Sequence, residues 1–193
     1  FEDLAVMRTI PNAIVCDPCD QVQLDWMVRE GASRRDGAIH YIRAYRKNVR
    51  EVYGPDTRFE VGKGQILVPG SDVLLIGSGY LMSDALDAAE SLKEKGISVE
   101  VVDPVTVKPF DEDLILREAQ GKKLVVTYEN HSIINGIGSA VADVLAKHGA
   151  GVPLLKLGIN DVFGQVGIVD LLKIEFKLTS NDAVNAILTA LSN

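Results

Sequence analysis

Asp72-Val73-Leu74-Leu75-Ile76-Gly77 is an unbroken apolar run closed by glycine, the pattern of a strand inside a parallel sheet covered on both faces. After it, Leu81, Ala85, Leu86, Ala89 and Leu92 recur at spacings of three and four, which predicts a helix ended by Gly96. Val99-Glu100-Val101-Val102-Asp103 is the next strand, and Pro104 and Pro109 bracket an extended turn. Asp111 is placed to cap a short helix through Leu114 and Ile115. Lys123 to Tyr128 and Pro153 to Gly158 are two further strands, separated by a helix bearing Ile137, Val141, Ala142 and Leu145. The last helix runs from Asp182 to Leu191, with Thr179 and Asp182 at capping-box spacing. Strands alternating with helices imply a three-layer α/β/α unit with a mostly parallel sheet and right-handed crossovers.

Upstream, the order is a short amphipathic helix (residues 3 to 9), a strand at Ala13-Ile14-Val15-Cys16, a helix from Gln21 capped by Asp20 and ended by Gly31, and a strand from Ile39 to Tyr45. This is about half of a small α/β layer. Residues 48 to 70 carry Pro55, Pro69 and several glycines, and read as a linker with one or two short strands near Phe59-Glu60-Val61 and Gln65 to Val68. The expected organisation is a partial α/β domain over residues 1–50, a linker over 51–70, and a complete α/β domain over 71–193.

The chain has 193 residues, with 20 Lys+Arg against 27 Asp+Glu and a formal net charge of -7, which disfavours a nucleic-acid partner. Charged residues or proline interrupt every apolar run before membrane-spanning length, and Phe1-Glu2-Asp3 lacks the features of a signal peptide. Two cysteines, Cys16 and Cys19, make neither a disulfide framework nor a structural zinc site. A reduced, cytoplasmic setting is expected, and no metal ligands are assigned.

Four stretches could carry chemistry, each with a plainer alternative. Gly77-Ser78-Gly79 joins a strand to a helix, as a phosphate cradle does, but it lacks a third glycine and a Walker lysine, and a turn needs glycine anyway. Glu129-Asn130-His131 forms a loop at the carboxyl end of a strand, where open α/β sheets place ligands; its polar groups could equally cap the helix near Asn135-Gly136. Arg43, near Arg46, Lys47 and Arg50, offers a forked donor for phosphate or is part of a solvated edge. Asp161-Val162-Phe163-Gly164-Gln165 could close over a site, make a subunit contact, or be a surface turn. His148 suits the end of a helix. No acid, base and nucleophile trio assembles from these residues, and no catalytic residue is assigned.

The succession of motifs is more specific than any one of them. Phe1-Glu2-Asp3-Leu4-Ala5, Met7-Arg8 and Ile10-Pro11-Asn12, followed by Pro18-Cys19-Asp20 and Ile42-Arg43, resemble the late part of the pyrimidine-binding domain of transketolases. The Gly77 turn, Val102-Asp103-Pro104, Lys108-Pro109-Phe110-Asp111, Tyr128 to Ser132, Gly138-Ser139-Ala140, Asp161 to Gly167 and Leu178 to Asn181 resemble the transketolase C-terminal domain. The likeness covers essentially the whole chain and is greatest to the separately encoded C-terminal half of split transketolases. Deoxyxylulose-phosphate synthases and the beta chains of 2-oxo-acid dehydrogenases share the layout and are the alternative readings, with a non-catalytic dimerisation or regulatory module as a third.

The resemblance implies part of an enzyme that moves a two-carbon ketol unit from a ketose phosphate to an aldose phosphate through the ylide of thiamine diphosphate. It implies that Arg43 helps bind the sugar phosphate and that His131, supported by Glu129 and Asn130, lies near the substrate entrance. The family's catalytic glutamate, and the domain that holds the diphosphate with magnesium or calcium, precede the part matched here. The chain would thus be a truncated piece, inactive alone, with an N-terminal transketolase subunit or domain and a second copy as partners. A piece of this kind would expose core residues such as Ile14, Val15 and Trp26.

Overall fold

The computed structural model describes residues 1–46 and 48–192, so Lys47 of the basic stretch lies outside the described residues. Asp3–Thr9 (α1) leads to Ala13–Cys16 (β1), Gln21–Ser33 (α2) and Ile39–Ile42 (β2), and then to Gln65–Val68 (β3) and Val73–Gly77 (β4). A short turn of 3-10 helix, Gly79–Leu81, opens Met82–Lys93 (α3), followed by Val99–Asp103 (β5), Thr106–Lys108 (β6) and Glu112–Ala119 (α4). Leu124–Ser132 (β7), Ile137–Lys147 (α5), Leu154–Ile159 (β8), Val169–Glu175 (α6) and Ser180–Leu191 (α7) complete the chain.

One sheet has five strands in the order β3-β5-β4-β7-β8, with β4, β5, β7 and β8 parallel and β3 an antiparallel edge. Successive side chains of β4 point to opposite faces. Val73 and Leu75 pack with α3 and α7 in one apolar core, whereas Leu74 and Ile76 pack with α4 and α5 in the other. Both layers shield β4 completely, which is why it reads as a continuous rather than alternating apolar run. The three-layer expectation is met here.

Residues 1–50, expected to be part of a pyrimidine-binding domain, do not form a sheet by themselves. A second sheet, in the order β2-β1-β6, takes its third strand from the segment between Pro104 and Pro109, which pairs antiparallel with β1. That segment was expected to be only an extended turn. Leu4, Ala13 and Val15 belong to the same core as Leu74 and Ile76, and Cys19 to the core of Val73 and Leu75. Val15 is therefore buried rather than exposed as expected, Ile14 is buried in a third cluster with Cys16, Met27 and Val105, and Trp26 is half-buried against the ring of Phe59 at 5.3 Å.

Other boundaries move for local reasons. The α2 helix starts where Asp20 accepts from the Gln23 amide at 2.8 Å, but continues two residues past Gly31. A Cβ at Gly31 would meet the His40 ring at 3.0 Å, so this glycine admits a neighbour rather than ending the helix. The β2 strand stops at Ile42, one residue before Arg43, and Phe59-Glu60-Val61 forms no strand. Gly96, at φ 78°, closes α3 as predicted, and both reciprocal bonds of the Thr179–Asp182 capping box open α7. The 129–132 stretch, expected to be a loop, is strand, because β7 runs on to Ser132.

Candidate functional site

The carboxyl ends of β1, β2, β4 and β7 meet beneath α1, and the polar residues singled out in the sequence converge there. Asp17 follows β1 with its side chain fully buried. It accepts from Ser78 Oγ at 2.8 Å and from the Tyr45 hydroxyl, and Arg43 Nη1 lies 4.0 Å away. The Gly79 amide donates to the Asp17 carbonyl at 3.1 Å. Gly79 has φ 58°, and a Cβ there would lie 2.2 Å from Tyr45 Oη and 2.6 Å from an Asp17 oxygen. The Gly77-Ser78-Gly79 turn is thus filled from within by a carboxylate, which would repel the phosphate it was considered for. Burial pushes the Asp17 carboxyl up, and Arg43 and the two hydroxyls oppose that shift.

Arg43 is placed by the start of the chain as much as by β2. Its Nε lies 3.1 Å from Asp3 Oδ2, its Nη1 donates to the Asn130 carbonyl at 2.8 Å, and its side chain is 12% exposed. Tyr41 Oη donates to the same Asp3 oxygen at 2.9 Å. Burial raises Asp3, but Arg43 and Tyr41 outweigh it and hold the carboxyl below its usual range. Of the other basic residues, Arg46 is exposed, and Arg50 pairs with Asp87 at 2.7 Å and donates to the Ser83 carbonyl.

His131 is fully buried in β7. Its Nε2 accepts from the Ala5 amide in the first turn of α1 at 3.2 Å, so Nδ1 carries the proton and donates to the Ser132 carbonyl at 2.7 Å. Burial holds the ring below its ordinary value, which makes it a neutral cap on α1. Glu129 accepts from the Ile137 and Gly138 amides at 2.7 and 2.8 Å, and so caps α5. Burial still pushes its carboxyl up to about 7. A Cβ at Gly136 would lie 2.0 Å from Glu129 Oε2, so the turn requires glycine. Asn130 contributes its carbonyl to Arg43.

The structure also reveals a carboxylate group that sequence reading did not single out as a site. Asp103, at the end of β5, accepts from Tyr53 Oη at 2.7 Å, Gln23 Nε2 at 2.6 Å and the Val105 amide at 2.8 Å. Burial pushes it up to about 6. Asp20 accepts from the Val52 and Tyr53 amides as well as capping α2. Asp17 and Asp103 are each followed by proline at a strand end, a shared signal that could have marked them. The remaining candidates stay apart. Cys16 and Cys19 are buried, and burial raises the Cys16 thiol to about 12 and Cys19 further, which disqualifies both as nucleophiles. His148 sits at the end of α5, 3.7 Å from Glu112. Residues 161 to 165 form an exposed loop.

Clefts of about 140 and 210 Å³ flank Tyr45 and Tyr80 beside this cluster. A third cleft, of about 440 Å³, lies on the other side of Tyr45 between Pro18, Asp20 and Arg46, within the size range of ligand pockets. Among the described residues, no group of three or more His, Cys, Asp or Glu side chains is placed to hold a metal ion. The Gly77-Ser78-Gly79 turn, filled by the Asp17 carboxylate, is not shaped to cradle a diphosphate.

Residues 62–182 match the family model for the transketolase C-terminal domain. The chain belongs to that family. A Methanocaldococcus jannaschii protein described as a transketolase C-terminal section is 44% identical over 88% of this chain and 52% of its own length. The 6-deoxy-6-sulfo-D-fructose transketolase subunit of a Clostridium species is 40% identical over 96% of this chain and 57% of its own length. A solved structure described as a split gene transketolase, inactive beta4 tetramer, superposes with a TM-score of 0.93 at 41% identity, covering 99% of this chain and 62% of that one. The chain spans about half the length of these curated relatives. Among the described residues, no helix is long and apolar enough to cross a membrane.

Proposed function

We propose that this chain is the C-terminal portion of a thiamine-diphosphate-dependent transketolase that transfers a two-carbon ketol unit from a ketose phosphate to an aldose phosphate. One observation carries the reading: the chain matches, nearly end to end, parts of transketolases about twice its length. Alone the chain is inactive in this reading. An N-terminal subunit or domain holds the diphosphate and its magnesium or calcium, and completes the cleft. Copies of the chain also associate with one another, as the beta4 description states for the solved neighbour.

Within the assembled cleft, Arg43 supplies the forked donor for a sugar phosphate. His131, whose ring is satisfied by Ala5 and Ser132, is a positioning residue that holds α1 beside Arg43. Glu129 fixes the start of α5, and Asn130 orients the guanidinium. The test is reconstitution with an N-terminal transketolase subunit, thiamine diphosphate and magnesium. Arg43→Ala is expected to raise KM for phosphorylated donors at least tenfold, with a smaller change in kcat. An unchanged KM contradicts the assignment. A second reading rests on the 1-deoxy-D-xylulose-5-phosphate synthase of Rippkaea orientalis, 37% identical over 96% of this chain. Turnover of a 2-oxo acid donor in place of the ketose phosphate would favour it.

A further inference from the structure

The β8 strand closes one side of the five-stranded sheet and pairs only with β7. Pro153 and Ile159 direct their carbonyls to β7, where they accept from the Val125 and Ile133 amides at 2.9 and 3.0 Å. Backbone groups along a strand alternate in direction, so those of Leu154 and Lys156 face outward, along an edge that no described strand covers. Side chains alternate as well. Leu155 and Leu157 lie on the α7 side, packed against the core of Val73 and Leu75 but only half-buried. Lys156 lies on the α5 side, where its Nζ is 3.4 Å from Ser139 Oγ and a Cβ at Gly138 would meet its stem at 2.9 Å. Between β8 and α7 runs a cleft of about 630 Å³, within the range of ligand pockets. Leu155, Leu157, Phe176 and Ala186 give it an apolar lining, and Lys177 stands at its rim. The only carboxylate among the described lining residues, Asp182, is taken up by the Thr179 amide and hydroxyl. Neither Lys156 nor Lys177 has a carboxylate partner among the described residues.

We propose that this edge binds an extended segment of a partner protein, with apolar and acidic residues in alternation, which adds to the sheet as a further strand beside β8. Main-chain hydrogen bonds to Leu154 and Lys156 hold the segment in place. Its side chains then alternate between the two faces of the sheet. Those on one face enter the cleft over Leu155 and Leu157, and those on the other pass Lys156. The charge of the occupant follows from the charges left unengaged. In a chain of net charge -7, the two beside this edge are both positive. A second copy of this chain fits badly, because antiparallel pairing of two β8 edges centred on the strand sets Lys156 against Lys156. A lysine that only shielded the edge would account for that repulsion, but not for the apolar cleft beside it. The inference does not depend on the ketol-transfer reading.

The test titrates the isotope-labelled full chain with two end-blocked heptapeptides, one alternating valine with glutamate and the other valine with lysine. Binding is followed by NMR, and amide hydrogen exchange is measured at saturation. The glutamate peptide is expected to saturate below about 1 mM and to slow exchange at Leu154 and Lys156. The lysine peptide should bind at least tenfold more weakly. Lys156→Glu, at a half-buried edge position, should reverse that preference at an unchanged thermal midpoint. Ala186→Phe fills the cleft with Lys156 intact and should weaken the glutamate peptide at least tenfold, which keeps the test decisive should the first variant not fold. No saturation by the glutamate peptide overturns the inference, as do equal affinities for the two peptides or binding that both variants leave unchanged. Slowed exchange at the same two amides that grows with protein concentration, without peptide, assigns the edge to a second copy and also overturns it. Ketol transfer is assayed separately on the reconstituted enzyme, and its failure removes the functional reading without touching measured peptide binding.

Discussion

The five-stranded sheet and the three-stranded sheet beside it are stabilised in different ways. In the first, Val73, Leu74, Leu75 and Ile76 are fully buried and alternate between two helix layers, so apolar burial and close packing hold it. In the second, β2 is exposed or half-exposed along its length, and the polar region where this sheet meets the strand ends of the first leans on carboxylates: Asp17 with Arg43, Tyr45 and Ser78; Asp20 with three amides; and Asp103, at the end of β5, with Tyr53 and Gln23. The apolar interior of the first should respond to lost volume and hardly to pH, whereas its strand ends carry Asp103, Glu129 and His131 and should share the pH response of the neighbouring polar region. The second should respond to lost acceptors and to pH. The polar region also borders the clefts beside Tyr45.

Substitutions can separate these two modes. Leu75→Ala opens a cavity in the centre of the sheet and is expected to cost about 3–4 kcal/mol, read from urea denaturation at any pH between 5 and 8. A cost below ~1 kcal/mol would mean the core collapses around the gap and is not close-packed. Asp20→Ala removes the cap of α2 and strands the Val52 and Tyr53 amides, for about 2 kcal/mol. If it cost no more than an ordinary exposed cap, the tie between α2 and residues 52–53 would carry little weight.

The pH dependence is the sharper discriminator. Asp103 and Glu129 are pushed up to about 6 and about 7, above the ~4 of carboxyls in an unfolded chain. The folded state therefore keeps protons that the unfolded chain has released, so stability falls as pH rises from about 4 towards 7, then levels off. His131, held below its ordinary value, acts oppositely below about 6.5. Asp103→Asn should flatten the part of the decline below pH 6 in a series of thermal midpoints, whatever it does to the baseline. A slope identical to wild type would place those protons elsewhere. Smallest of all, Arg29→Ala breaks an ion pair with Asp25 that is more than half exposed on both sides, and should leave the thermal midpoint unchanged within the error of the measurement.

The same contrast explains what could be read from the sequence. The strand at 73–77, the helix after it, the Asp20 and Asp111 caps and the Thr179–Asp182 box are local patterns, and each stands where the pattern put it. The β6 strand escaped notice because three residues between prolines become a strand only by pairing with β1, about ninety positions earlier. The α6 helix escaped because its apolar residues face solvent and do not announce a core. The convergence of Arg43, Asn130 and His131 under α1 is a tertiary fact. Periodicity does not contain it; residue type and strand position marked Arg43 and the 129–131 stretch separately as candidates, and only the resemblance to transketolases joined them in one expected site. Asp17 and Asp103 are buried acids whose side-chain donors come from segments 28 to 80 residues away, with only the Val105 amide close to Asp103 in sequence.

The most direct test is ketol transfer by this chain alone and together with an N-terminal transketolase subunit, in the presence of thiamine diphosphate and magnesium. A ketose phosphate serves as donor and an aldose phosphate as acceptor. The account predicts no turnover from either part alone and turnover from the pair. Turnover by the isolated chain, or none from a pair shown to associate, would contradict it.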